Sequence, residues 1–115
     1  MQPVLGVRDV AASADWYVHR LGFTLAFHAR GHPAYAVLTR DDVELHLQWS
    51  DPAETSADDR PMLRFLVEDV EALLAEFKPK GVFHEQTALR DTPWGTREFA
   101  FYDPDRNGLT FYRPR

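Results

Sequence analysis

The sequence predicts an α+β fold of two tandem βαβββ units that together form a curved mixed sheet with a concave ligand groove. The order strand, helix, strand, strand, strand occurs twice along the 115 residues. An internal match supports the repeat, since the sequence of residues 5–10, LGVRDV, aligns with that of residues 65–70, FLVEDV. Each unit has one helix, which covers one face of its strands and leaves the other face for a ligand or a partner.

The domain organisation follows from this repeat. We expect a single domain over residues 1–115, with the first unit at residues 1–50 and the second at 61–115. Residues 51–60 are rich in Asp, Pro, Glu, Thr and Ser and contain almost no apolar side chain, which predicts a linker.

In the first unit, residues 3–8 predict a strand, and Asp9 is placed to cap a helix over Val10–Leu21. Gly22 fits the left-handed residue that ends a helix. Strands follow over residues 23–28, 34–40 and 43–49, separated by a turn at residues 30–33 and a tight reversal at 41–42.

In the second unit, residues 62–67 predict a strand, and Asp69 is again placed as a helix cap. The helix carries an apolar stripe of Val70, Leu73, Leu74 and Phe77, and Gly81 ends the helical region unless Pro79 stops it earlier. A weak strand is expected at residues 82–86, and two further strands at 97–102 and 109–113.

The fourth strand alternates between apolar and polar residues. Val43, Leu45, Leu47 and Trp49 point to one side, and Glu44, His46 and Gln48 to the other. One side therefore packs on a helix, and the opposite side offers groups suited to a ligand.

The segment around Trp94 places one large aromatic side chain in a turn bounded by Pro93 and Gly95. Burial in a core is one interpretation of such a ring. Its position at the edge of a concave sheet favours the other interpretation, stacking on a ligand.

Composition excludes several classes of protein. The formal charge is −5 without a basic run, so nucleic acid and anionic membranes are not expected partners. There is no Cys, and any metal site would use His, Asp or Glu. No apolar run has the length of a membrane span and no signal peptide is evident, so we expect a soluble, cytoplasmic protein.

Several motifs together resemble the glyoxalase or vicinal oxygen chelate superfamily, and within it the bleomycin resistance proteins. They are spread over the whole chain: RLGF at residues 20–23, RDDV at 40–43, PWG at 93–95 followed by REFA at 97–100, and Asp103-Pro104. The resemblance implies paired βαβββ units and a homodimer with two ligand grooves at the subunit interface.

The superfamily has metal-binding and metal-free branches. By resemblance, its four metal positions fall on Gln2, Glu44, Met62 and Thr110. Met and Thr are poor ligands for a divalent metal among oxygen and nitrogen donors. The resemblance therefore implies no cofactor, with Glu44 and His46 as the weak metal candidates.

The antibiotic-binding members hold a planar, cationic glycopeptide in an acidic groove without chemistry. The resemblance implies that aromatic side chains line this groove and that polar ones contact the ligand, a set comprising Phe27, Tyr35, Phe65, Trp94, Glu44, His46, Gln48 and Tyr112. No catalytic residue is expected, and the ligand is expected to be a bleomycin-type antibiotic.

Two alternatives stay open at this point. One is a metal-dependent enzyme of the glyoxalase or dioxygenase type, which would polarise vicinal oxygens of its substrate. The other is a binding protein with the same groove for another flat metabolite or antibiotic.

Overall fold

The structure is a computed structural model that describes residues 3–31, 34–51 and 62–115. The chain divides into two compact units, Met1–Arg60 and Pro61–Arg115. Most of the predicted linker and part of the turn at residues 30–33 lie outside the described residues. Within each unit the predicted βαβββ order is present.

The first unit consists of β1 (Val4–Val7), α1 (Val10–Leu21), β2 (Thr24–Ala29), β3 (Tyr35–Arg40) and β4 (Val43–Trp49). Its sheet has the strand order β1-β4-β3-β2. Strand β1 runs parallel to β4, and the other neighbours are antiparallel.

The second unit consists of β5 (Met62–Leu66), α2 (Val70–Phe77), a 3₁₀ turn (Lys78–Lys80), β6 (Arg90–Asp91), β7 (Thr96–Tyr102) and β8 (Gly108–Pro114). Its sheet order, β5-β8-β7-β6, repeats that of the first unit. The α+β class and the tandem repeat predicted from the sequence are therefore confirmed.

Both helices begin at the predicted aspartates. The Asp9 carboxylate accepts a hydrogen bond from the Ala12 amide at 3.0 Å, and Asp69 accepts one from the Ala72 amide at 2.9 Å. Gly22 ends α1 with φ 74°, and Gly81 ends the 3₁₀ turn with φ 73°. These contacts satisfy backbone groups that a helix end leaves without partners.

The prediction of a strand at residues 82–86 is wrong. This segment is a turn, in which the Thr87 amide donates to the His84 carbonyl at 3.0 Å and the His84 amide donates to Thr87 Oγ1 at 3.2 Å. The edge strand is instead β6, where Arg90 pairs with Glu98 and Asp91 with Arg97. The local hydrogen bonds between His84 and Thr87 stabilise this turn, and the strand propensity of residues 82–86 is too weak to compete with them.

The core of each unit lies between its helix and one face of its sheet. In the first unit Tyr17 of α1 is fully buried with aliphatic residues of the strands, among them Leu5, Leu45 and Leu47. In the second unit the core is aromatic, because Phe77 of α2 packs edge-on against Phe99, Phe101 and Phe111 at 5.4–6.3 Å between ring centroids.

Strands β7 and β8 are joined by a turn built around the buried Asp103. Its Oδ1 accepts from the amides of Asp105 and Asn107 at 2.9 and 2.8 Å, and its Oδ2 accepts from the Asn107 side chain at 3.0 Å. Arg106 within this turn has φ 65°. The aspartate therefore fixes where β8 begins.

Candidate ligand-binding site

The face of the first sheet turned away from α1 carries five of the predicted site residues. Strand register pairs Tyr35 with Gln48, and it pairs Val37 with His46 on one side and Phe27 on the other. Directly paired residues point to the same face of a sheet. Phe27, Tyr35, Glu44, His46 and Gln48 therefore share one face, which we call the open face of the first unit.

Three of these side chains form a hydrogen-bonded chain across the open face. His46 Nε2 lies 2.7 Å from Glu44 Oε2, and His46 Nδ1 lies 2.5 Å from Tyr35 Oη. An ionised carboxylate only accepts, so a neutral His46 carries its proton on Nε2 and accepts from the Tyr35 hydroxyl on Nδ1. We call Tyr35, His46 and Glu44 the relay.

Burial differs along the relay. The His46 side chain is 20% exposed, whereas that of Glu44 is 42% exposed. The Tyr35 and His46 rings meet edge to face at 5.4 Å. The histidine is therefore enclosed by its partners, and the carboxylate reaches solvent.

Phe27 lies beside the relay on β2 and is unusually accessible for a phenylalanine, with 55% of its surface exposed. Gln48 is also exposed on this face. An accessible ring beside polar side chains suits a ligand with a flat apolar part and a polar part.

The second sheet also has an open face, where Arg64 of β5 joins two groups. Its Nη2 donates to Glu98 Oε2 at 2.7 Å, and its guanidinium carbon lies 4.6 Å from the centroid of the Tyr112 ring. The hydrogen bond from Arg64 lowers the pKa of Glu98 below its usual range, assisted by Thr96. Tyr112 is thus a half-buried ring already engaged by a cation.

A cavity of about 200 Å³ lies beside this group in the second unit, lined by Met62, His84, Arg90, Glu98 and Tyr102 among others. His84 stacks on Tyr102 at 5.7 Å between ring centroids. The sequence interpretation missed Arg64 and Glu98. Their period-two placement on β5 and β7, out of phase with the buried phenylalanines, could have indicated them.

Trp94 lies in the turn between β6 and β7 and is 67% exposed. The turn is closed by the Gly95 amide, which donates to the Thr92 carbonyl at 3.3 Å, and Gly95 has φ 89°. The interpretation of Trp94 as a core residue is therefore wrong.

Phe65 does not lie on the open face of its unit, where the resemblance led us to expect a ligand contact. Its ring is 7% exposed and stacks on Phe111 at 5.1 Å between centroids. Because side chains alternate along a strand, Phe65 points to the helix side while its neighbour Arg64 points to the open side.

Three of the four positions of the metal-binding branch lie in the described part of the chain, and they are a poor donor set. Gln2 lies outside the described residues, and Glu44 Oε2 is held by His46. Met62 offers a thioether to which Thr110 Oγ1 donates at 3.3 Å. Across residues 3–31, 34–51 and 62–115, no three His, Asp or Glu side chains are grouped as ligands of one metal ion. A divalent metal with oxygen and nitrogen ligands does not fit these residues.

The fold and the two open faces define a class of small-molecule-binding proteins built from paired βαβββ units. Residues 2–111 match the sequence profile described as Glyoxalase/Bleomycin resistance protein/Dioxygenase superfamily, and the chain belongs to this family. Within the described residues, no helix is long and apolar enough to cross a membrane.

Three proteins illustrate the similarity of this chain to individual members of the family. The chain is 34% identical to a bleomycin resistance protein of Geobacillus stearothermophilus, over 96% of this chain and 93% of the relative. It is 28% identical to the bleomycin-binding protein of Streptomyces verticillus, solved with copper(II)-bleomycin, with a TM-score of 0.82 over 100% of this chain and 95% of that one. TnmS3, an antibiotic-binding protein of Streptomyces sp. CB03234, is 26% identical with a TM-score of 0.78, over 100% of this chain and 95% of that one.

Proposed function

We propose that this protein binds a bleomycin-type antibiotic and sequesters it without chemical change. In this proposal the two units form one domain, and two copies of the chain form a homodimer in the cytoplasm with a ligand groove at the subunit interface. The observation that carries the proposal is the open face of the first unit, where Phe27 and the relay present an accessible ring beside a carboxylate.

The proposed roles follow from exposure and chemistry. Trp94 and Phe27 stack on the flat part of the ligand, since both rings are more than half exposed. Offset stacking and cation–π contacts of this kind contribute about 0.5–2 kcal/mol each. Tyr35 lines the groove, and Glu44, His46, Gln48 and Tyr112 provide polar contacts. Phe65 has no place in this set because its ring is in the core.

Family membership supports this proposal, since curated relatives covering nearly the whole chain are bleomycin resistance proteins. A structural neighbour above 25% identity is solved with copper(II)-bleomycin. The donor set described above gives no comparable support to the metal-dependent alternative.

The test is a titration with metal-free bleomycin and with copper(II)-bleomycin, using calorimetry for affinity and tryptophan fluorescence for location. We expect saturable binding of both forms. Fluorescence quenching should disappear in Trp94→Phe and persist in Trp16→Phe, because Trp16 lies on α1. Absence of heat and of quenching at high micromolar ligand would exclude the antibiotic assignment.

Trp94→Ala tests whether the Trp94 ring contributes to ligand affinity and not to the stability of the fold. We expect about a tenfold loss of affinity, because roughly 1.4 kcal/mol of stacking corresponds to a factor of ten. The melting temperature should not change, because the ring is 67% exposed. Trp94→Phe, which keeps a ring, is the matched control and should retain most of the affinity in calorimetry.

A further inference from the structure

Glu44 has a distinctive position on the open face of the first unit. Among the described residues that strand register assigns to this face, it is the one carboxylate, and no Lys or Arg accompanies it. Glu98 in the second unit differs in this respect, because Arg64 neutralises its charge at 2.7 Å. Glu44 instead reaches solvent with 42% of its side chain exposed.

The relay determines which atoms remain available to a ligand. His46 uses both ring nitrogens, Nδ1 toward Tyr35 and Nε2 toward Glu44. Glu44 uses Oε2 for His46, and among residues 3–31, 34–51 and 62–115 its Oε1 has no hydrogen-bond partner. The relay therefore offers a ligand the Oε1 atom of the Glu44 carboxylate, which accepts hydrogen bonds and carries negative charge.

The surroundings favour an organic cation over other ligand groups. An anion would be repelled by the carboxylate, and a neutral donor would gain only an ordinary hydrogen bond. A protonated amine gains a charge-assisted bond, and the accessible Phe27 ring lies on the same face for its carbon-bound part.

We propose that Glu44 is the anchor for a positively charged N–H donor of the ligand, and that His46 and Tyr35 are positioning residues that hold its carboxylate. Two bonds in series fix the rotamer of Glu44, which reduces the conformational entropy lost when the ligand is bound. The proposal rests on the proposed function, since it specifies which group of the ligand this face binds.

The first test compares Glu44→Gln with Asp42→Asn in calorimetric titrations with metal-free bleomycin. Both variants remove one negative charge from the first unit, but Asp42 lies in the turn between β3 and β4. We expect Glu44→Gln to weaken binding about tenfold or more, as the loss of a charge-assisted hydrogen bond does. Asp42→Asn should stay within about twofold, because strand register does not assign Asp42 to the open face and its side chain is exposed to water.

The second test uses benzylamine, which is protonated at neutral pH, and benzyl alcohol as the uncharged counterpart. In NMR titrations at millimolar concentration, benzylamine should shift the Glu44 carboxylate and His46 ring signals of the wild type. It should have no such effect in Glu44→Gln, and benzyl alcohol should have little effect in either protein.

The positioning role of Tyr35 is tested separately, by the ¹⁵N chemical shifts of the His46 ring. We expect the Nε2–H tautomer in the wild type and a mixture of tautomers in Tyr35→Phe, which removes the hydroxyl donor to Nδ1. Tyr35→Phe should weaken bleomycin binding by about threefold.

The outcomes separate the two proposals. If the wild type binds bleomycin and Glu44→Gln binds it equally well, the anchor is overturned and the proposed function stands. If the wild type does not bind bleomycin, the proposed function falls, and the benzylamine titration then decides whether Glu44 binds cations. Equal response to benzylamine and benzyl alcohol overturns the anchor in either case.

Discussion

Arg106 has a backbone conformation that suits glycine better than arginine. Its φ is 65°, in the turn organised by Asp103. A side chain in this left-handed region costs roughly 1–2 kcal/mol, which glycine avoids. We expect Arg106→Gly to raise the free energy of unfolding by about 1 kcal/mol in urea titrations, since the greater freedom of glycine in the unfolded chain offsets part of the gain.

Arg106→Ala is the control for this substitution. It removes the same exposed side chain but keeps the Cβ atom, so it should give no stabilisation. Equal stability of the glycine and alanine variants would show that the backbone conformation carries no strain.

Two phenylalanines illustrate how position decides the role of one residue type. Phe99 is 1% exposed in the aromatic core of the second unit, whereas Phe27 is 55% exposed on the open face of the first. We expect Phe99→Ala to lower the free energy of unfolding by about 3–5 kcal/mol, from lost burial and a residual cavity. Phe27→Ala should cost less than about 1 kcal/mol in the same urea titrations.

The effects of the two variants on ligand affinity should be reversed. Phe27→Ala should weaken bleomycin binding in calorimetry, whereas folded Phe99→Ala should bind normally. A large loss of stability in Phe27→Ala would mean that its ring is covered in the protein as it exists in solution.

The location of some site residues could be predicted from the sequence more securely than that of others. Glu44, His46 and Gln48 could be predicted to share a face, because they alternate with leucines along one strand. The bond between His46 and Tyr35 could not, since it depends on the register between β3 and β4. The expectation for Phe65 came from resemblance alone, and the alternation along β5 contradicts it.

Among the elements, those with strong local signals could be predicted to the residue. The bounds of α1 follow from a capping aspartate and a terminal glycine, and those of β4 from its alternation. Strand β6 was missed because two residues carry no periodicity of their own. It exists through its pairing with β7, a contact that a local pattern does not encode.

A cluster of ion pairs joins α2 to strands β6, β7 and β8. Glu71 in the first turn of α2 accepts from Arg113 Nη2 at 2.6 Å and from Arg97 Nη1 at 3.1 Å. Arg97 also donates to Asp91 at 2.7 Å. The hydrogen bond from Arg113 is the main cause that lowers the pKa of Glu71 from 4.5 to about 2.

This cluster gives a prediction for acid unfolding. A carboxylate whose pKa is lower in the folded state contributes stability above its unfolded pKa and loses it as pH falls through the folded value. The contribution of Glu71 should therefore decline between about pH 4.5 and pH 2. Urea unfolding at a series of pH values should show a shallower acid decline for Glu71→Gln. An identical pH slope in wild type and variant would contradict the role of this carboxylate.

At the scale of the whole molecule, the repeat could be predicted because each unit carries its own cap, helix stripe and strands. The matching strand orders of the two sheets confirm that both units have the same topology. Their cores nevertheless differ, being largely aliphatic in the first unit and aromatic in the second. Topology thus follows from the pattern of apolar positions, while the choice of apolar residue is left to packing within each unit.

The proposed homodimer leads to a prediction that tests the whole assembly. Sedimentation equilibrium should give twice the mass of the chain, and calorimetry should give one bleomycin per chain, since two grooves are expected per dimer. A ligand at a hundred times its Kd adds about 2.7 kcal/mol to the free energy of unfolding, so the melting temperature should rise with ligand concentration. In the proposed dimer each groove requires both subunits, so bleomycin should also shift dilute protein toward the dimer. A monomer that binds one bleomycin with no change in mass would contradict a groove at the subunit interface.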